Sequence, residues 1–249
     1  MAAGIICIVI ALAIGGFFVW RHFSVVVGNQ RLATAAGVDG ELLDAYAVDG
    51  DGDLPNIDWA ALKAVNSDIV GWLYVPKTPL SHPIVRGADN DYYLNHTADG
   101  SWNPSGAIFL DYQNSPNFTD ISNYIYGHNM LGNAMFSEFT KYTDPSFFTD
   151  HPWVIILTPE KIYRLHVRAA IECKGSEEVR RLSFASDGDF HDFKAFLGGF
   201  LKSGQYDSLL ESTNLYCFST CKFMDTSARV IVIATDENAP KALLPTPYA

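Results

Sequence analysis

Three side chains of complementary chemistry stand at the lips of strand-like runs. The run Asn214-Leu215-Tyr216-Cys217-Phe218-Ser219-Thr220-Cys221 ends on a cysteine. Eight residues later Arg229 opens the run Val230-Ile231-Val232-Ile233-Ala234. Ninety-three residues before Cys221, His128 lies in Tyr126-Gly127-His128-Asn129-Met130. A thiolate is a strong nucleophile, an imidazole moves protons near neutral pH, and a guanidinium donates two hydrogen bonds to a developing oxyanion. Together they are the parts of thiol-based acyl transfer. Each has a plainer reading as well: Cys221 as a small buried hydrophobe, His128 as a solvent-facing turn residue, Arg229 as a charge on a strand end. The hydroxyls of Ser219 and Thr220 shift Cys221 towards a polar pocket. Gly127 and Asn129 permit unusual backbone angles that would turn the imidazole into a cleft. Histidines 82, 96, 151, 166 and 191 lack such a setting.

Positioning these groups requires paired strands. Strand-like runs are expected over 69–75, 83–86, 107–111, 123–126, 153–158 and 162–171, the last two joined by a turn at Pro159-Glu160-Lys161. Asp58 is placed to cap a short helix over 59–65. Phe193, Phe196, Leu197 and Phe200 recur at helical spacing and predict a helix over 190–201. Many short strands with turn signals indicate a mainly β barrel or sandwich with added helices.

The chain has 249 residues, 48% of them hydrophobic and 13% aromatic, enough for a sizeable core. A formal charge of −11 argues against nucleic acid as a partner and against electrostatic attachment to anionic lipid. Four cysteines, Cys7, Cys173, Cys217 and Cys221, are too few for a disulfide-built scaffold. In a strand, Cys217 and Cys221 would lie roughly 13 Å apart, beyond the limit of about 7 Å for a disulfide. No second His/Cys cluster accompanies them, so no zinc site is expected. Residues 1–20 carry no charge. As a helix, twenty apolar residues would span about 30 Å, the thickness of a bilayer core. Residues 1–22 are therefore expected to be an uncleaved membrane anchor, with Trp20, Arg21 and His22 as its interfacial flank. No Lys or Arg precedes the segment while Arg21 and Arg31 follow it, so the charge rule alone places the C-terminal side in the cytoplasm. Residues 23–57 read as an acidic spacer, partly helical over 30–47. Val48-Asp49-Gly50-Asp51-Gly52-Asp53 has the look of a calcium loop but lacks the further ligands. Residues 58–237 form the expected folded domain and 238–249 a tail, in which Leu244-Pro245-Thr246-Pro247 carries no further meaning.

The motifs along this domain resemble those of class B sortases, the membrane-anchored cysteine transpeptidases of Gram-positive bacteria. The resemblance is carried by Asn66-Ser67-Asp68-Ile69-Val70-Gly71-Trp72-Leu73, His82-Pro83-Ile84-Val85, Asp89-Asn90-Asp91-Tyr92-Tyr93-Leu94, Gly106-Ala107-Ile108-Phe109-Leu110-Asp111, Tyr126-Gly127-His128-Asn129-Met130, and Ser219-Thr220-Cys221 with Arg229 downstream. One departure stands out: Cys217-Phe218 replaces the usual Thr-Leu before the catalytic end. The resemblance implies a closed β-barrel of about eight strands, with the N-terminal helix and a helix near 189–202 as class B additions. It implies Cys221, His128 and Arg229 as catalytic residues and Asn90, Leu94, Ser219 and Thr220 as substrate-binding. It implies cleavage of a C-terminal sorting signal and transfer of the acyl group to a peptidoglycan or pilin amine, by an extracytoplasmic domain on a single-pass anchor. No metal or cofactor is implied. Two alternatives share the same residues: a cysteine peptidase that only hydrolyses, and a non-catalytic, membrane-tethered barrel that binds the cell wall.

Overall fold

The computed structural model describes residues 2–38, 43, 56–130, 135–222 and 225–238. The acidic run at 48–53 and the tail from 239 lie outside the described residues. Among the described residues nine strands form one sheet: β1 Ile69–Tyr74, β2 Ser81–Val85, β3 Ile108–Leu110, β4 Ser122–Tyr126, β5 Trp153–Leu157, β6 Ile162–Lys174, β7 Leu201–Gly204, β8 Leu215–Lys222 and β9 Asp225–Asp236. Their order is β5-β1-β2-β3-β4-β8-β9-β6-β7, and an additional β5–β6 pairing closes it. Eight strands therefore make the barrel expected from the sequence, and β7 rides outside on β6. β1 shows why the pattern reads as it does: all six of its residues are buried, so it is apolar on both faces rather than alternating.

Inside the barrel, Leu73, Ile84, Ile125, Phe218 and Val232 are wholly buried. Phe139 packs edge-on to Phe136 at 4.7 Å and stacks on Phe218 at 4.8 Å. Each such buried aromatic contributes its apolar area plus roughly 0.5–1.5 kcal/mol of ring geometry.

The helices are α1 Ala2–Ala36, α2 Trp59–Val65, α3 Ser137–Lys141, α4 Pro145–Asp150, α5 Asp187–Gly198 and α6 Tyr206–Leu210. The Asp58 carboxylate caps α2, accepting from the Ala61 N–H at 2.9 Å. Ser186 caps α5, whose Phe190, Phe193 and Leu197 are buried against the sheet.

The second half of α1 differs from the spacer expected there. Val25 is buried in the cluster that fills the barrel, and Leu32 and Ala36 are buried with Leu43 and Ile57 in a second apolar layer. Two hydrogen bonds reinforce the seam. Asn29 Nδ2 donates to His82 Nδ1 at 2.6 Å, and Asn103 Nδ2 donates to Ser24 Oγ at 2.7 Å. Among the described residues no helix is long and apolar enough to cross a membrane, so the transmembrane helix expected over 1–22 is not found there. The apolar side chains Ile5, Ile8, Leu12 and Phe23 of α1 are nevertheless exposed.

Strand directions divide the barrel into two rims. β4, β8 and β1 end at one rim, where β9 and β5 begin. The opposite rim carries the β3–β4 connection, residues 111–121, and the β5–β6 hairpin at 158–161.

Candidate active site

β4 and β8 run parallel as neighbours, with Tyr126 opposite Ser219. The Gly127 N–H continues that pairing, donating to the Ser219 carbonyl at 3.3 Å. Two residues further on each strand path come His128 and Cys221, so both backbones emerge at one rim about one strand spacing, roughly 4.8 Å, apart. On the other side of β8, Cys221 is the direct cross-strand partner of Arg229 in antiparallel β9. Directly opposed residues share a face. The backbone of Cys221 is placed by this ladder; its side chain lies outside the described residues.

Gly127 carries the strand past a crowded point. A Cβ on it would stand 2.6 Å from the Phe136 ring, which is fully buried. Gly127 is not in the left-handed region, so close approach rather than backbone freedom demands glycine here. The His128 carbonyl accepts from the Phe136 N–H at 3.0 Å, and Asn129 bridges to Met135. The His128 ring is half-buried, and its Nε2 lies 2.8 Å from the Leu94 carbonyl. A carbonyl only accepts, so Nε2 carries the proton. In the neutral ring Nδ1 is then the basic nitrogen.

Leu94 itself ends a 3-10 turn, Tyr92–Leu94. The turn is held by the Ala107 N–H, which donates to the Tyr93 carbonyl at 2.9 Å. Gly106, at φ +63°, makes this possible: a Cβ there would lie 2.5 Å from the Tyr93 oxygen. The glycine of the Gly106–Asp111 motif thus holds Leu94 under His128.

A cleft of about 310 Å³ opens at this rim. Every site residue read from the sequence whose side chain is described lines it: Asn90, Leu94, His128, Ser219, Thr220 and Arg229. Leu94 is the most exposed of these substrate-binding candidates. Thr220 is 2% exposed, and its hydroxyl has no hydrogen-bond partner among the described residues. Asn90 is more committed than expected: its Nδ2 donates to Asp111 Oδ2 at 3.0 Å and its Oδ1 accepts from the Tyr112 N–H at 3.0 Å. Phe109, Tyr126 and Gly127 complete the lining; none had been assigned to the substrate groove from sequence, although Gly127 had been read as the residue that turns His128. Their signal was present, since Tyr126 and Gly127 directly precede His128 and Phe109 sits two before Asp111.

The other described thiols stand apart. Cys7, Cys173 and Cys217 are free. Burial pushes the Cys217 thiol up to about 12. Burial also raises Cys173, with Glu177 adding to it and Arg229 opposing it. Neither is poised as a nucleophile at neutral pH. Among the described residues no group of three His, Cys, Asp or Glu is placed to hold a metal ion.

No family model matches the chain. Among curated proteins, the sortase B of Listeria monocytogenes is 35% identical over 132 residues, 53% of this chain and 54% of that protein. The chain thus spans about half the length of that relative. The sortase B of Staphylococcus aureus is 27% identical over 179 residues, 70% of this chain and 72% of that protein. Among solved structures, a Bacillus anthracis protein described as similar to sortase B superposes with a TM-score of 0.64 at 28% identity, covering 74% of this chain and 84% of its own. A sortase B complexed with triglycine gives 0.64 at 25% identity, covering 71% and 83%.

Proposed function

We propose that this chain, by sequence and by fold a homologue of the class B sortases, is a cysteine transpeptidase. One observation carries the reading: the parallel β4–β8 register brings His128 and Cys221 to one rim, with Arg229 directly opposite Cys221. The Cys221 thiolate adds to the carbonyl carbon of a peptide bond in a C-terminal sorting signal. A C–S bond forms and the carbonyl oxygen takes the negative charge. The Arg229 guanidinium donates to that oxyanion. The intermediate collapses as imidazolium His128 gives its proton to the departing amine, leaving a thioester on Cys221. The now neutral His128 takes a proton from an incoming amine, which attacks the thioester and expels the thiolate. The Leu94 carbonyl holds the ring by Nε2–H throughout, so Nδ1 carries the traffic. Thr220, buried with an uncommitted hydroxyl on the cleft, and Ser219 contact the acyl portion. Leu94 offers it an apolar wall.

The triglycine bound by one structural neighbour supports an amine acceptor of glycine type, here a peptidoglycan or pilin amine. The test is intact-mass measurement of the protein with a panel of sorting-signal peptides, then with added triglycine. A mass shift located on Cys221, followed by a peptide–triglycine product, is expected. Acid alone as product would make the chain a hydrolase. Absence of any adduct, with unchanged mass throughout, would overturn the reading.

Attachment to a membrane through residues 1–22, with the domain extracytoplasmic, belongs to the same proposal. Its support is the uncharged run 1–20 and the outward-facing Ile5, Ile8 and Leu12 of α1. Full-length chain should sediment with membranes and a chain beginning at residue 24 should not.

A further inference from the structure

Behind the cleft wall lies a carboxylate that the chemistry above does not use. Asp111 follows β3 and is fully buried. Its Oδ2 accepts from Asn90 Nδ2 at 3.0 Å, from the Tyr126 hydroxyl at 3.0 Å and from Arg180 Nε at 2.6 Å. Its Oδ1 accepts from Arg180 Nη2 at 2.8 Å and from the Gln113 N–H at 3.0 Å. Burial alone would raise this carboxyl; the Arg180 fork, the Gln113 N–H and the Asn90 amide outweigh it and hold it below the usual carboxylate range. Two of the partners, Asn90 and Tyr126, line the cleft. Arg180 and Gln113 do not. Arg180 comes from the connection between β6 and α5, residues 175–186. That connection is tied down on both sides of it: the Tyr124 hydroxyl donates to the Val179 carbonyl, and Arg181 pairs with Asp189.

We infer that Arg180 is a positioning residue: through Asp111 it fixes the orientation of Tyr126 and Asn90, and so sets how the cleft receives its peptide. An ion pair kept for stability alone would be poorly chosen. Its Asp111 partner is fully buried, and a buried charge pair is often replaceable by apolar groups of similar volume without loss. What an apolar pair could not do is accept hydrogen bonds from two cleft residues at once. The bidentate fork aligns both carboxylate oxygens, and with them the lone pairs that Asn90 and Tyr126 address.

The inference rests on the cleft being the peptide groove. It is tested by kcat and KM for a turned-over sorting peptide in wild type, Arg180→Met, Arg180→Lys, Tyr126→Phe and the Arg180→Met/Tyr126→Phe double variant. Arg180→Met is expected to raise KM by about 3- to 30-fold, inside the range of couplings within one hydrogen-bond network, with kcat within about twofold. Arg180→Lys keeps the charge but not the fork and should recover part of that loss. The double variant should be no worse than Arg180→Met alone. An unchanged KM in folded Arg180→Met, or fully additive effects in the double variant, would overturn the positioning role. Amide hydrogen exchange gives a peptide-independent reading. In Arg180→Met, exchange should quicken at 126–128 as well as at 179–182; acceleration confined to 179–182 would mean a strap and nothing more. If wild type forms no adduct with any peptide, the transpeptidase reading falls, and the exchange result alone still decides the role of Arg180.

Discussion

At Gly127 a single hydrogen atom decides where the imidazole stands. An alanine methyl there would meet the Phe136 ring at 2.6 Å, and Phe136 is packed against Phe139 and cannot yield. Gly127→Ala should therefore destabilise by about 1–3 kcal/mol and lower kcat/KM further than its stability loss explains, because His128 is the next residue. Urea midpoints beside peptide kinetics measure both. Arg229→Ala should lose about 100- to 1000-fold in rate, the usual consequence of removing one oxyanion donor, with little change in melting. The thiols should also separate. Iodoacetamide should modify Cys221 in the native protein, and Cys217 only after unfolding, since burial holds the Cys217 thiol near 12. At this scale the sequence was informative where chemistry is rare. Cys, His and Arg at strand ends stood out by type. Gly127 was recognised for the wrong reason, because the ring that forbids a side chain lies nine residues on. Asp111 and Arg180 were invisible as a pair, being 69 residues apart.

Among the elements, α1 shows most clearly what periodicity could and could not convey. Val25, Asn29, Leu32 and Ala36 fall at spacings of four, three and four, one helical stripe. Three are buried, and Asn29 reaches His82. That stripe was legible in principle, but the apolar run before it and the acids after it masked it. The helices at 137–141, 145–150 and 206–210 are too short for any period to show. β7 was not expected: its first residue, Leu201, closed the expected helix, because Phe200 continues the apolar stripe after the helix has stopped at Gly198. The α1–β2 seam makes stability depend on pH. Burial lowers His82 to about 4, so the folded chain resists the proton that the unfolded chain accepts at about 6.5. The contribution is complete above about pH 6.5 and is lost as pH falls towards 4. Between pH 7 and 5 the loss should be about 2 kcal/mol. Urea midpoints at the two pH values measure it, and His82→Gln should flatten the difference. Leu32→Ala, on the same seam, should cost about 2–5 kcal/mol.

For the molecule as a whole, the decisive contact is the pairing of β4 with β8, which are joined only after most of the barrel has been laid down in sequence. Strand count left a barrel or a sandwich open, and closure was expected only from the resemblance carried by the motifs. The strand order was not, since hydrophobic pattern marks a strand without naming its neighbour. Because the site depends on that long-range pairing, it should not outlive the barrel. Alkylation of Cys221 at its native rate and near-ultraviolet circular dichroism should be lost together in a urea titration. Native-rate labelling that survives loss of the tertiary signal would show the site to be local. Folding should also be slow, in milliseconds to seconds or longer, as long-range β pairing dictates.

The two rims differ in what they would tolerate. At Pro159-Glu160-Lys161 the β5–β6 hairpin is exposed and closed by its own bond, the Thr158 N–H donating to the Lys161 carbonyl at 3.0 Å. A guest domain spliced between Pro159 and Glu160 would hang from the rim opposite the ends of β4 and β8 and should leave turnover intact. The same graft after Gly127 would silence it. The barrel is thus a handle with a working end, and a reporter or a surface tether can be fastened to one without blunting the other.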